Sequence, residues 1–181
     1  QNEAFLNYEI LQNQFPATIE ALEANFWRGN SQLGRRNWSA AITNFREYLR
    51  SSPNPKYLAA THYKIGEAYY HMKDYLKARE AFERAREIDS TYPNQDPSLL
   101  FHMGETYYET ADFATAKELF KILLNQYPDA DFSKWVALRL GDFLRDEGKK
   151  EEAIEIYQNA ISSFSRDIAL LGKYLCTNAL Q

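Results

Sequence analysis

Apolar positions along this chain return at helical spacing, and the same arrangement recurs at nearly constant intervals. An alanine followed four residues later by an aromatic ring occurs four times, 37, 38 and 37 residues apart. These pairs are Ala41/Phe45, Ala78/Phe82, Ala116/Phe120 and Ala153/Tyr157. A glycine precedes each pair by twelve residues, at Gly29, Gly66, Gly104 and Gly141. A fixed period of this length is typical of a stacked array, in which each unit buries its apolar face against its neighbours.

Each unit predicts two helices joined by a short turn. In the second unit, apolar residues from Ile65 to Tyr70 share one face of a first helix, and those from Ala78 to Ala85 share one face of a second. Three residues at the intervening turns are predicted N-caps, because their side chains can accept from unpaired amides: Asn37, Asp74 and Asp112. The second helices are predicted to end near Pro53, Pro93 and Pro128, since proline cannot continue a helix.

Small residues occupy the two places in each unit where helices must approach closely. Glycine in the first helix and alanine in the second allow short distances between backbones. The Phe or Tyr four residues after the alanine is predicted to fill the space between the pair. No segment predicts a strand, so the fold class is all-α.

This order of residues resembles the tetratricopeptide repeat, whose pattern is W-x2-L-G-x2-Y…A-x3-F…P. The third unit fits well, with Leu100, Met103, Gly104, Tyr107, Ala116, Phe120 and Pro128. The first unit departs from it, because Arg28 and Gln32 replace the usual Leu and Tyr, and we expect its first helix to pack less well. The resemblance implies an all-α, right-handed α-solenoid of antiparallel helix pairs that covers nearly the whole chain.

The phase of the period predicts the boundaries of a single repeat domain. Complete repeats are expected at 22–55, 59–92, 97–130 and 134–165. Residues 1–16 would form the second helix of a truncated repeat, and 167–181 the first helix of a further repeat or cap. Incomplete repeats at both ends lead us to expect that the chain is a segment of a longer protein. The spacing of 37 to 38 residues exceeds the usual 34. In this it resembles arrays of bacterial cell-envelope proteins, such as the outer-membrane assembly lipoprotein and the Tol–Pal coordinator.

Composition narrows the choice of partner and compartment. The formal net charge of −4 argues against nucleic-acid binding, which requires a basic surface. Cys176 is the only cysteine, so no intramolecular disulfide can form, and its apolar surroundings predict a buried thiol. No apolar run reaches the length of a membrane span. The compartment stays open between the bacterial periplasm or cell envelope and the cytoplasm.

Residues suited to catalysis are few, and we predict no enzyme, no metal and no cofactor. His62, His71 and His102 form neither a His-Glu-x-x-His motif nor a zinc-ligand spacing. Glu67 and His71 could share a metal from one helical face, but a solvent-facing pair is the favoured interpretation.

The resemblance implies instead a concave binding groove lined by the first helix of each repeat. By phase, its lining residues are Phe26, Asn30, Tyr63, Glu67, Tyr70, His71, Phe101, Glu105, Tyr108, Glu109, Trp135, Leu138, Asp142, Arg145 and Asp146. With Glu23, this face has six carboxylates and one arginine. Family members that hold an acidic tail use a Lys, Asn and Arg clamp at these positions, and this chain lacks it.

An acidic groove with aromatic rings predicts a protein or peptide partner that combines Lys or Arg with apolar anchors. The chain is therefore expected to be a non-catalytic interaction scaffold. Two alternatives stay open: a periplasmic or lipoprotein component of bacterial envelope assembly, and the repeat region of a larger regulator or enzyme.

Overall fold

The computed structural model describes residues 2–15, 18–51 and 54–163, and all regular structure within them is helical. The α-helices are Asn2–Gln14 (α1), Ile19–Gly34 (α2), Trp38–Arg50 (α3), Leu58–His71 (α4), Tyr75–Ile88 (α5), Pro97–Glu109 (α6), Phe113–Gln126 (α7), Ser133–Asp146 (α8) and Lys150–Ser163 (α9). Short 3₁₀ helices lie at Pro55–Tyr57 and Tyr92–Gln95. The all-α prediction is confirmed. Cys176 and the helix expected at 167–181 lie outside the described residues, and the repeat boundaries stay predictions.

The helices belong to two compact units, Gln1–Asp112 and Phe113–Gln181. In the first unit each helix from α1 to α6 packs against the next, and α4 also contacts α2 and α6. In the second unit α8 packs against both α7 and α9. Within the units, α2 with α3, α4 with α5 and α8 with α9 form helix pairs that the period predicts.

The glycines and aromatic rings of each pair meet as the spacing predicts. A Cβ atom placed on Gly29 would lie 2.5 Å from Cε1 of Phe45. A Cβ on Gly66 would lie closer still to the ring of Phe82. Both rings are fully buried, and so are the alanines one turn before them. In the second unit, Gly141 and Tyr157 make the same approach. Only glycine therefore allows the first helix to lie this close to the ring.

The turns inside the helix pairs share a backbone conformation that the sequence did not predict. Arg36, Lys73, Ala111 and Gly148 all have positive φ, at 59°, 60°, 60° and 78°. After each of them, the next amide donates to a carbonyl five residues back, for example Asp112 N to Tyr107 O at 2.9 Å. This is the Schellman motif, which usually places glycine at the left-handed position. Three of the four turns place a residue with a Cβ there.

We expect Ala111→Gly to stabilise the protein by about 0.5–1 kcal/mol, because a left-handed residue with a Cβ is strained. Ala111 is exposed, so the change removes no packing. The reverse substitution, Gly148→Ala, should destabilise by a similar amount. Urea unfolding followed by circular dichroism measures both. Effects of the same sign would contradict this account of the turn.

The predicted N-caps differ in their side-chain bonds. The carboxylate of Asp74 accepts from Lys77 N at 3.3 Å and caps α5, as predicted. Asn37 precedes α3 but makes no side-chain capping bond, so that prediction is wrong. Asp112 precedes α7 and accepts from Arg79 Nη2 at 3.3 Å.

Candidate partner-binding groove

In the first unit, the helices that begin each repeat are neighbours: α2, α4 and α6. Helix α4 lies between the others and contacts both of them. Most predicted groove residues of this unit lie on α4 and α6. Their accessibility decides which of them a partner could touch.

Two predicted groove residues of the first unit are buried instead. Tyr63 has no exposed surface, its hydroxyl donates to Asp89 O at 2.8 Å, and its ring stacks on Tyr92 at 5.1 Å. Phe26 is only 4% exposed, and it stacks on Tyr57 at 4.7 Å. The prediction that these two rings line an accessible groove is wrong. Both belong to aromatic clusters that fill the space between consecutive helix pairs.

The accessible rings form a cluster around two histidines. Tyr70 stacks on His102 with centroids 4.4 Å apart, and His71 stacks on Trp38 at 4.3 Å. The two imidazoles meet edge to face at 4.8 Å. Together with Glu67 they form what we call the aromatic–imidazole cluster: Trp38, Glu67, Tyr70, His71 and His102. It joins α3, α4 and α6.

Carboxylates surround this cluster. Oε1 of Glu67 lies 3.4 Å from Nδ1 of His102, although the alignment does not make a hydrogen bond. Burial, Glu105 and Glu109 together raise the pKa of the Tyr70 hydroxyl to about 12. The same two carboxylates act on Tyr75, whose pKa is raised mainly by burial. The negative charges of Glu105 and Glu109 on α6 therefore act on Tyr70 of α4 and on Tyr75 of α5.

His71 contributes a ring rather than a positive charge at neutral pH. Burial lowers its pKa, and His102 and Arg36 lower it further, while Glu67 opposes them. Since free histidine titrates near 6.5, the imidazole of His71 is neutral at pH 7. His71 therefore does not offset the negative charge of Glu67 at neutral pH.

The remaining groove residues of α6 form a mixed surface. Phe101, Glu105 and Tyr108 are partly buried, and Glu109 is exposed at the end of the helix. They follow the 3.6-residue period on one side of α6, so rings and carboxylates alternate along it. This side contacts α4 through His102 and Tyr70.

Two polar residues on α2 are occupied by bonds within the fold. Asn30 Nδ2 donates to Phe26 O at 3.0 Å. Glu23 Oε1 accepts from Asn54 Nδ2 at 2.9 Å, which ties α2 to the loop before α4. Glu23 therefore accepts a hydrogen bond within the fold in addition to carrying a negative charge.

The groove residues of the second unit are more nearly neutral. Arg145 contacts both neighbouring acids, with Nη1 3.4 Å from Asp142 and Nη2 3.0 Å from Asp146. The hydroxyl of Tyr157 also donates to Asp142 at 2.6 Å. Trp135 is partly buried and packs beside Leu138, which is itself buried. The acidic character predicted for the whole face is therefore strongest in the first unit.

Sequence reasoning missed three residues here: Trp38 in the aromatic–imidazole cluster, Tyr75 beside Tyr70, and His102 in the cluster. A signal for the first two was present, because the first residue of α3, α5 and α7 is aromatic each time: Trp38, Tyr75 and Phe113. The period therefore marks a second aromatic position, at the start of each second helix. His102 had no comparable signal, since the equivalent position in the previous repeat is Lys64.

The described residues contain no group of three or more His, Cys, Asp or Glu side chains that could hold a metal ion. Within the same part of the chain, every helix is too short or too polar to cross a membrane.

Comparison with known proteins gives matches over most of the chain. Residues 57–129 and 136–165 match sequence models described as "Tetratricopeptide repeat". The comparison with curated proteins found no match.

Several solved structures have a similar fold. One is YrrB, described as a TPR protein with an unusual peptide-binding site, with a TM-score of 0.69 and 20% identity over 96% of this chain and 85% of that one. MamA gives 0.65 and 15% identity over 91% of this chain and 89% of that one. A fragment of MamA from Desulfovibrio magneticus RS-1 gives 0.66 and 17% over 92% and 87%. At these identities the likeness concerns the fold, an all-α helical-repeat solenoid.

Proposed function

We propose that this chain, which belongs to the tetratricopeptide repeat family, is a non-catalytic scaffold that binds a protein or peptide segment along α4 and α6. The observation that carries the proposal is the aromatic–imidazole cluster, with the carboxylates of Glu105 and Glu109 beside it. YrrB, which has a similar fold, is described as a peptide-binding protein. Its likeness supports a peptide as one form of the partner.

The chemistry of this surface selects a partner that is basic and has apolar anchors. Rings such as Tyr70 and Phe101 offer apolar area and a negative π-face, on which Lys or Arg can lie. Glu105 and Glu109 provide charge that steers a basic segment and sets its register. An acidic segment would be repelled by the same groups.

Binding of a basic peptide should therefore depend on charge at α6. We expect a fluorescent peptide with Lys, Arg and Leu or Trp anchors to bind, and a peptide with Glu in place of Lys and Arg not to bind. Glu105→Lys with Glu109→Lys should weaken binding about tenfold or more, since each change replaces attraction with repulsion. Fluorescence anisotropy at low and high salt measures both effects, because salt screens exposed charges beyond roughly 10 Å at 0.1 M.

Glu47→Lys with Glu87→Lys is the matched control. It makes the same change in net charge at exposed positions of α3 and α5, away from the cluster. Its affinity should fall much less. Preference for the acidic peptide, or equal losses in the two double variants, would contradict the proposed surface.

A further inference from the structure

A cavity of about 100 Å³ lies between α3, α4 and α5. Its α4 residues are His62, Ile65 and Tyr69, which share one face of that helix. At 100° per residue, this face points away from Glu67 and Tyr70. The cavity is therefore separate from the aromatic–imidazole cluster. Leu49, Ile65 and Ala81 form its apolar walls.

The rest of the lining is mainly cationic. Arg46, Lys77 and Arg84 contribute positive charge, and Glu80 is the one carboxylate among the lining residues. The positive balance of this lining contrasts with the net charge of −4 of the whole chain.

The fold holds two of these cations in place through one aromatic ring. Arg46 Nη2 donates to Tyr69 Oη at 2.7 Å, and its guanidinium lies 5.9 Å from the ring centroid. The ammonium of Lys77 lies 5.6 Å from the same centroid and also pairs with Asp74. Tyr69 is buried, so the position of its hydroxyl is set by the core.

The positive field reaches into the cavity. Burial lowers the pKa of His62, and the charge of Arg84 lowers it further. Asp74 partly neutralises Lys77, and Arg46 bonds an uncharged phenol that leaves its charge in place; the third cation is Arg84. Among the described residues it forms no ion pair with a carboxylate.

One repeat later, the residues of the first unit that hold equivalent positions differ. Glu83 holds the phase of Arg46, and the buried Leu100 holds the phase of His62. Arg79 there donates to Glu83 at 2.8 Å and to Asp112 at 3.3 Å. Carboxylates therefore pair with Arg79 on this side of α5, whereas the lining of the cavity beside Tyr69 keeps an excess of cations.

We propose that this cavity is an anion site that binds a phosphate group. A water occupies about 30 Å³ in the liquid, so the cavity admits a small oxyanion or the head of a phosphorylated side chain. Guanidinium groups match phosphate oxygens in geometry, and a phosphate monoester has a charge of about −1.5 to −2 at pH 7. The site lies on another face of α4 and does not depend on the proposed groove.

Nuclear magnetic resonance of the three histidine rings tests the site directly. Inorganic phosphate, titrated against chloride at constant pH and ionic strength, should shift the His62 signals in a saturable way. His71 and His102 lie in the aromatic–imidazole cluster and serve as internal references that should not respond. A parallel titration uses a phosphoserine peptide. Tighter binding of the peptide would identify the ligand as a modified side chain, and tighter binding of inorganic phosphate would identify it as a free anion.

Charge variants then assign the cations. Arg46→Gln and Arg84→Gln should each weaken phosphate binding about tenfold, as expected for a charge-assisted hydrogen bond. Glu80→Gln should strengthen it about threefold by removing a repulsive charge. Arg86→Gln is the control. Arg86 lies on α5, as Arg84 does, but it donates to the hydroxyl of Tyr107 at 3.4 Å and does not line the cavity.

Four results would overturn the proposal. They are a shift of His62 that does not saturate, an equal response of His71, equal weakening by Arg86→Gln, and acetate binding as tightly as phosphate. A saturable response confined to His62 and lost in Arg84→Gln would support it.

Discussion

Replacing Gly66 with leucine is expected to destabilise the protein by about 3 kcal/mol or more, near the upper end of overpacking effects. Three atoms of the Phe82 ring would lie less than 3.0 Å from the new Cβ alone. Phe82 is fully buried and cannot turn away into solvent. The helices α4 and α5 must therefore separate, which also disturbs the contacts of α4 with its other neighbours.

Urea unfolding followed by far-ultraviolet circular dichroism measures this loss. Gly34→Leu is the matched control, because Gly34 ends α2 and no atom of the described residues lies within 4 Å of its Cβ position. Leucine there should be neutral or stabilise by up to roughly 1 kcal/mol, since it favours helix more than glycine does. An unchanged midpoint for Gly66→Leu would refute the close approach of the two helices.

This contact belongs to the part of the fold that the sequence predicted. Glycine, alanine and an aromatic ring at constant phase specify which residues of two helices meet, because few other sequences permit so short a distance. The same periodicity located the helices, and it did so without any information on tertiary contacts. Local pattern is sufficient here because each repeat packs mainly on its immediate neighbours.

The candidate site was less predictable. Tyr63 and Tyr70 both fall at phases that line the groove in the family, yet Tyr63 is buried and Tyr70 is only partly buried. What separates them is the loop after α5, whose Tyr92 covers Tyr63. The residues added to the 34-residue unit lie in such loops, so their effect on burial cannot be derived from the family pattern.

The turns show a further limit of sequence reasoning. Arg36, Lys73 and Ala111 adopt a left-handed backbone although none is glycine. Sequence alone gave no signal, because the conformation is imposed by the hydrogen bonds that close each helix and by the packing of the pair. Asn37 also departs from the sequence prediction, since it makes no capping bond although Asp74 caps α5 from the same backbone conformation.

Truncation of Phe82 to alanine is expected to cost about 3–5 kcal/mol, the usual range for a buried phenylalanine. Its ring has no exposed surface and lies against both Gly66 and Tyr63, with the Tyr63 centroid 6.4 Å away. Deletion leaves a cavity between α4 and α5 that the stacked helices cannot easily close. The same unfolding measurement applies. Leu76→Ala on α5 is the control, because Leu76 is 70% exposed and should change stability by no more than about 0.5 kcal/mol.

Combining Phe82→Ala with Gly66→Leu tests whether the two losses have one physical origin. The leucine side chain would enter the space that the ring vacates, so the double variant should be more stable than the sum of the single losses predicts. Residues in contact typically show coupling energies of about 0.5–3 kcal/mol. Strict additivity would mean that the two positions do not meet, and it would contradict the helix packing that the repeat period predicts for every pair.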